Sequence, residues 1–209
     1  MPALKLIAGF FWRFALVYGL LLSPWPGFNG AYGRYLRSLG EAVFAREGGS
    51  RLVRFEPVPP GLNQRLDSRI LLSNRNELDS SGRGSARYLE LDSRGIGWMP
   101  TAFFVALVAA SPVSWRRRSG ALLVGLGAIH GFILFSLAVY IWNQSTDLAL
   151  LTLAPAWKYC IAGLEETLVT QIGASFVVPG LIWILLTFQR QDVIAWQTAE
   201  SQRRAQTER

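Results

Sequence analysis

The chain has 209 residues, 51% of them hydrophobic, with eight Trp and a formal net charge of +7. Its mean hydropathy is +0.25, and it carries several uncharged runs near twenty residues, which a soluble domain of this size does not normally contain. Almost every basic residue is Arg, set beside apolar runs or among acids, so the positive balance reads as membrane anchoring and not as nucleic-acid binding.

Residues 4–22 form the first apolar run, with Lys5 at its start and Arg13 in its middle. Arg13 interrupts the run and no small-x-small cleavage site follows, so an uncleaved anchor helix is expected in preference to a signal peptide. Pro24, Pro26 and Gly27 end it, because proline lacks an amide donor and restricts the residue before it. Residues 31–46 read as an amphipathic helix. Tyr32, Tyr35, Leu36, Leu39 and Val43 recur at three- and four-residue steps, with Arg34, Arg37 and Glu41 on the other face. Such a helix either lies flat in the membrane interface or packs on the polar segment after it.

Residues 48–95 are the sizeable polar region. Three short strands are predicted over 51–56, 69–73 and 86–92, separated by a Pro-rich and then an Asn/Ser/Gly-rich stretch. Fewer than fifty residues bury little apolar surface, so this sheet needs a helix, a bilayer or a partner to lean on. Its eight Arg and six acids read as a solvated face.

Residues 96–115 and 120–142 are two uncharged runs, apart from His130, joined by Arg116, Arg117 and Arg118. Each is long enough for a hydrocarbon core of about 30 Å, and the arginines act as topology determinants marking the cytoplasmic side. Residues 143–158 are expected to be an extramembrane connection, with 148–157 a re-entrant or interfacial piece. A last spanning run is predicted over 168–188. The expected fold is therefore a mainly α membrane protein with four transmembrane helices, both termini inside, and a small extracytoplasmic β-rich insertion. The divisions are residues 1–24 for helix one, 25–47 for the interfacial helix, 48–95 for the β-rich domain, 96–188 for helices two to four and 189–209 for a cytoplasmic tail.

Ionisable groups near spanning segments are costly and are the functional candidates. They are Arg13, His130, Glu165 and Glu166, with Gln171 as an uncharged neighbour. Helix rise places Arg13 and Glu166 at similar depths, so an ion pair between them, with Gln171 adding a hydrogen bond, is one expectation; a snorkelling Arg13 with both glutamates among headgroups is the other. His130 lies in a run of small residues that lets another helix approach, which favours a hydrogen-bonded histidine at a helix contact over a proton relay. Cys160, the single cysteine, rules out an internal disulfide and a Cys/His metal cluster. A thiol enzyme would pair Cys160 with His130, yet helix rise separates them by roughly ten ångströms or more. No catalytic residue, metal or other cofactor is expected.

The layout has parallels. Phe11-Trp12-Arg13-Phe14, then Ser23-Pro24-Trp25-Pro26-Gly27, a short polar outer domain and a late Phe176-Val177-Val178-Pro179-Gly180 are arranged along most of the chain as in the integral membrane proteins that accompany bacterial exosortases. The chain resembles those accessory proteins in layout. Exosortases themselves carry Cys, Arg and His in that order, whereas here His130 precedes Cys160, so the resemblance implies a companion of such an enzyme. The expected function is thus a non-catalytic inner-membrane accessory or assembly protein of a protein-sorting system, contacting lipids and a membrane-protein partner but no nucleic acid. A transporter or channel subunit is the rival, though no internal repeat is visible.

Overall fold

A computed structural model describes residues 2–45, 51–59, 66–78, 84–147, 154–170 and 173–187. Its spine is the helix α4, Trp115–Asp147, which runs 33 residues without a break, or about 50 Å. No proline interrupts it. The remaining helices are α1 (Pro2–Leu22), α2 (Phe28–Phe44), α3 (Met99–Ala110), α5 (Pro155–Glu165) and α6 (Ala174–Thr187). A π-helical turn over Arg94–Trp98 leads into α3, and a second over Glu166–Thr170 follows α5.

The four-span expectation is overturned. By length and apolar composition, one described helix meets the requirement of a membrane span, over Trp115–Thr146. The other apolar helices, Ile7–Leu22, Arg94–Ala110 and Ala174–Thr187, are shorter and reach only about 21 to 26 Å at 1.5 Å per residue. The causes are local. Pro112 holds Ser111 in an extended conformation, so α3 stops at Ala110 and the run 96–115 is not one helix. The predicted run 168–188 is divided, with α6 starting only at Ala174. The orientation with both termini inside, which rested on an even count of four, falls with it. The polar connection expected over 143–158 is also revised: Asn143 to Asp147 stay in α4 and Pro155 to Lys158 belong to α5, while 148–153 lie outside the described residues.

The polar region forms the three strands: β1 (Arg51–Pro57), β2 (Ser68–Leu78) and β3 (Gly84–Leu91), an antiparallel meander. Register sets Phe55 opposite Ile70 and Ile70 opposite Leu89. Strand alternation therefore gathers Phe55, Ile70, Leu72, Leu89 and Leu91 on one face, where they are buried. The other face carries Glu56, Arg69 and Tyr88, with Arg69 donating to Glu56 at 2.7 Å and its guanidinium 4.3 Å from the Tyr88 ring centroid. That half-exposed pair adds about 0–1 kcal/mol.

Of the two expectations for the second helix, α2 packs on the sheet. Gly33, Leu36 and Gly40 form its buried stripe, and Gly40 admits the Phe55 ring, which a Cβ there would meet at 2.5 Å. Phe44 stacks on the same ring. Pro24, Pro26 and Gly27 turn the chain from α1 into α2; Gly27 has φ 77°, a left-handed conformation that glycine adopts without a Cβ penalty.

One apolar core runs the length of the molecule. The buried inner face of the sheet, Leu36 of α2 and Ile133, Leu137 and Ile141 of α4 belong to one cluster. The same cluster continues through Ile129 and Ala121 of α4 to Phe104 and Val108 of α3. Helix α1 packs on α3, as Phe14 and Tyr18 meet the Phe103 ring edge-on. α6 reaches α1 and α3 through Trp183 on Phe10 and Phe176 on Phe103.

Gly125 is where α4 comes closest to α3, because a Cβ there would run into the Phe104 ring, whereas one at Gly127 meets nothing within 4 Å. Gly125→Val is expected to cost about 1–3 kcal/mol by overpacking. Gly127→Val, on the open side of the same helix, is expected to leave stability unchanged or raise it slightly. Thermal unfolding of both variants in mild detergent separates the two outcomes.

Candidate functional site

The polar groups of this chain gather at helix ends. At the turn between α3 and α4, Arg118 Nη2 donates to the Ser111 carbonyl at 2.9 Å, and Arg117 Nη2 donates to the Thr187 carbonyl at 2.8 Å. Two of the three topology arginines therefore cap the C-termini of α3 and α6, while Arg116 remains exposed. Cations at the start of α4 oppose its own dipole, but the two converging C-termini carry the opposite partial charge and satisfy the guanidinium groups. Ser111 Oγ donates to the Leu107 carbonyl and accepts from Trp183 Nε1, both at 2.7 Å. These contacts lock α3, α4 and α6 at one end of the molecule.

The C-terminus of α1 is finished in the same way. Trp98 Nε1 donates to the Leu21 carbonyl at 3.0 Å, and Arg94 donates to that of Leu22. Ser93 and Ser68 share a buried hydrogen bond, and Arg37 reaches the Ser68 hydroxyl and the Asp67 carbonyl at 3.0 Å each. Apart from Arg37, sequence periodicity did not single these residues out. The signal available for them was position: polar side chains within a few residues of a helix end.

The predicted intramembrane contacts are only partly brought together. Arg13 is exposed on α1, and no ion pair joins it to Glu165 or Glu166 among the described residues. Glu165 is engaged by α4 instead, accepting from Asn143 Nδ2 and, at 3.4 Å, from Gln144 Nε2. Glu166 is exposed at the following π-helical turn, and Gln171 lies outside the described residues. His130 sits halfway along α4, its Nδ1 2.7 Å from the Leu126 carbonyl and its ring 5.8 Å edge-on from Tyr35. It is a half-buried histidine at a contact between α4 and α2.

Cys160 is exposed on α5. Glu165 stands level with Asn143, and Thr187 with Arg117, so the stretch from α5 to α6 runs antiparallel to α4. Counting helix rise from that alignment puts Cys160 and His130 about 25 Å apart. That is far outside the reach of a thiol and its base. Among the described residues no three His, Cys, Asp or Glu side chains converge as metal ligands. Among the described residues an open apolar groove of about 270 Å³ lies between α3 and α6, walled by Phe103, Leu107, Phe176, Val177 and Leu181 and floored by Gly180.

The chain matches no protein-family model, and comparison with curated proteins and with solved structures finds no match either. Its site is therefore read from geometry.

Arg118→Gln is expected to destabilise the protein by about 1–3 kcal/mol, through loss of a charged hydrogen bond to a helix terminus. Arg116→Gln should cost no more than about 0.5 kcal/mol. Unfolding midpoints of the two variants give the comparison.

A second expectation concerns pH. Burial pushes the Tyr32 hydroxyl up to about 12, against a smaller lowering by the Thr101 side chain beside it and with nearby Tyr35 as a lesser raising cause. The folded state then holds a proton that the unfolded chain releases near 10, so stability falls as pH rises between 10 and 12, by up to roughly 2–3 kcal/mol. Tyr32→Phe should match wild type at pH 8 and lose less stability across that window, measured by denaturant titration at each pH.

Proposed function

We propose that the protein is a non-catalytic accessory or assembly protein of a bacterial inner membrane, holding a membrane-protein partner. The observation that carries this reading is the apolar outer surface of the helices. Phe11, Trp12, Leu16 and Leu20 on α1, Leu123 and Val124 on α4, and Val177, Leu181, Ile184 and Leu185 on α6 are all largely exposed. Contiguous apolar surface of this kind marks contact with lipid or protein. α4 supplies the helix of spanning length, and α3 and α6 lie against its first half.

The partner surface in this reading is α5. Trp157 and Tyr159 stand out from it at 64% and 81% exposure, with the whole stretch from Ala154 to Cys160 exposed. Rigid aromatics of this type anchor protein interfaces. The resemblance to exosortase companions gives the class of enzyme to seek as the partner. The separation of Cys160 from His130 weighs against the thiol-enzyme alternative, and no observation favours transport.

The test is purification from the native membrane in mild detergent with mass spectrometry of what accompanies the protein. A stoichiometric membrane enzyme is expected. It should be lost from a Trp157→Ala/Tyr159→Ala variant and retained in a Cys160→Ala/His130→Ala variant. A monodisperse protein without companion would refute the accessory role.

A further inference from the structure

We propose that the corner formed by α3, α4 and α6 is a binding site for an anionic phospholipid, with the phosphate on the arginine turn and an acyl chain in the groove beside it. This rests on the bilayer association in the function proposed above and names a ligand for it.

The polar half of the site is read from unsatisfied donors. Thr187 is 4% exposed, yet its hydroxyl has no hydrogen-bond partner, and neither has the buried Nε of Arg118. A buried donor without an acceptor costs about 1–3 kcal/mol, so two at one corner call for an oxygen-rich ligand. Arg116 adds an exposed guanidinium on the same turn. Neither α3 nor α6 carries an Asp or Glu, and α4 has none before Asp147. No carboxylate from those three helices competes for the site, and the charge complementarity is toward an anion.

The apolar half adjoins it. The groove between α3 and α6 ends at Trp183 and Ile184, one helical turn before Thr187. Trp183 is tied there by its hydrogen bond to Ser111. A cationic end and an apolar trough of this order match one molecule that has both parts, a glycerophospholipid with an acidic headgroup. Gly180 keeps the trough open, since a Cβ there meets nothing within 4 Å.

The experiment is native mass spectrometry of the full chain in detergent, titrated with phosphatidylglycerol, phosphatidylcholine or inorganic phosphate, alongside flotation with vesicles of the two lipids. Phosphatidylglycerol adducts are expected to exceed phosphatidylcholine adducts. One guanidinium at an anionic surface corresponds to about a fivefold preference, so Arg116→Gln should remove roughly that factor. Gly180→Leu should lower adduct formation by filling the groove. Thr187→Val is the decisive variant. A purely structural Thr187 gains or keeps thermal stability in lipid-free detergent when its orphan hydroxyl is removed, with adducts unchanged, whereas a ligand-binding one also loses phosphatidylglycerol. Equal binding of both lipids, an effect of inorganic phosphate as large as that of the lipid, or unaltered adducts in Thr187→Val would overturn the proposal. Flotation with neither vesicle would instead refute the bilayer association itself.

Discussion

An uninterrupted α4 is the constraint from which the rest of the structure follows. Over its 33 residues the interior backbone groups bond one another from turn to turn, giving a continuous rod of about 50 Å on which the other elements pack. Its two halves serve different neighbours. The first half meets α3 at Gly125 and Phe104, and the second lies under the sheet through Ile133, Leu137 and Ile141. A three-stranded sheet of this size has too little apolar area to be stable alone. It is stable here because α2 closes one flank and α4 supplies the floor.

Where the short helices end, polar side chains from elsewhere in the chain finish them. Arg117 and Arg118 serve α6 and α3, and Trp98 and Arg94 serve α1. The terminal carbonyls of a helix have no partner within it, and in apolar surroundings they cannot turn to water. Residues that sequence patterning assigns to topology thus have a second task, that of tying helix ends together. One end of the molecule is locked by guanidinium groups, while the opposite end of the α4–α5 pair is joined by Asn143, Gln144 and Glu165.

Much of the local structure was legible in the sequence. β1 begins where alternation and turn residues place it, and the other strands begin within two residues of expectation. The amphipathic spacing of α2 was equally plain, but which surface it faces was not, because a stripe of Tyr, Leu and Gly fits a sheet as well as a headgroup layer. The count of spans was misread for a physical reason. Hydropathy registers apolar content and is insensitive to Pro112 ending α3 at Ala110, or to a late start of α6 at Ala174. Depth arguments from helix rise paired Arg13 with Glu166, yet Glu165 already had amide partners one helix away on α4. The cluster at Ser111 and Thr187 left no trace in the pattern, since it joins residues seventy or more positions apart.

The closure of α1 has a consequence in time. Its C-terminal carbonyl at Leu21 waits for Trp98, 77 residues further along the chain. At a synthesis rate of about 5–20 residues per second, that donor emerges roughly 4–15 s after the acceptor. Throughout that interval the end of α1 is open, the sheet has no α4 to rest on, and nascent apolar surface stays uncovered. The growing chain therefore passes through a stage in which the end of its first helix is not yet covered by the rest of the protein.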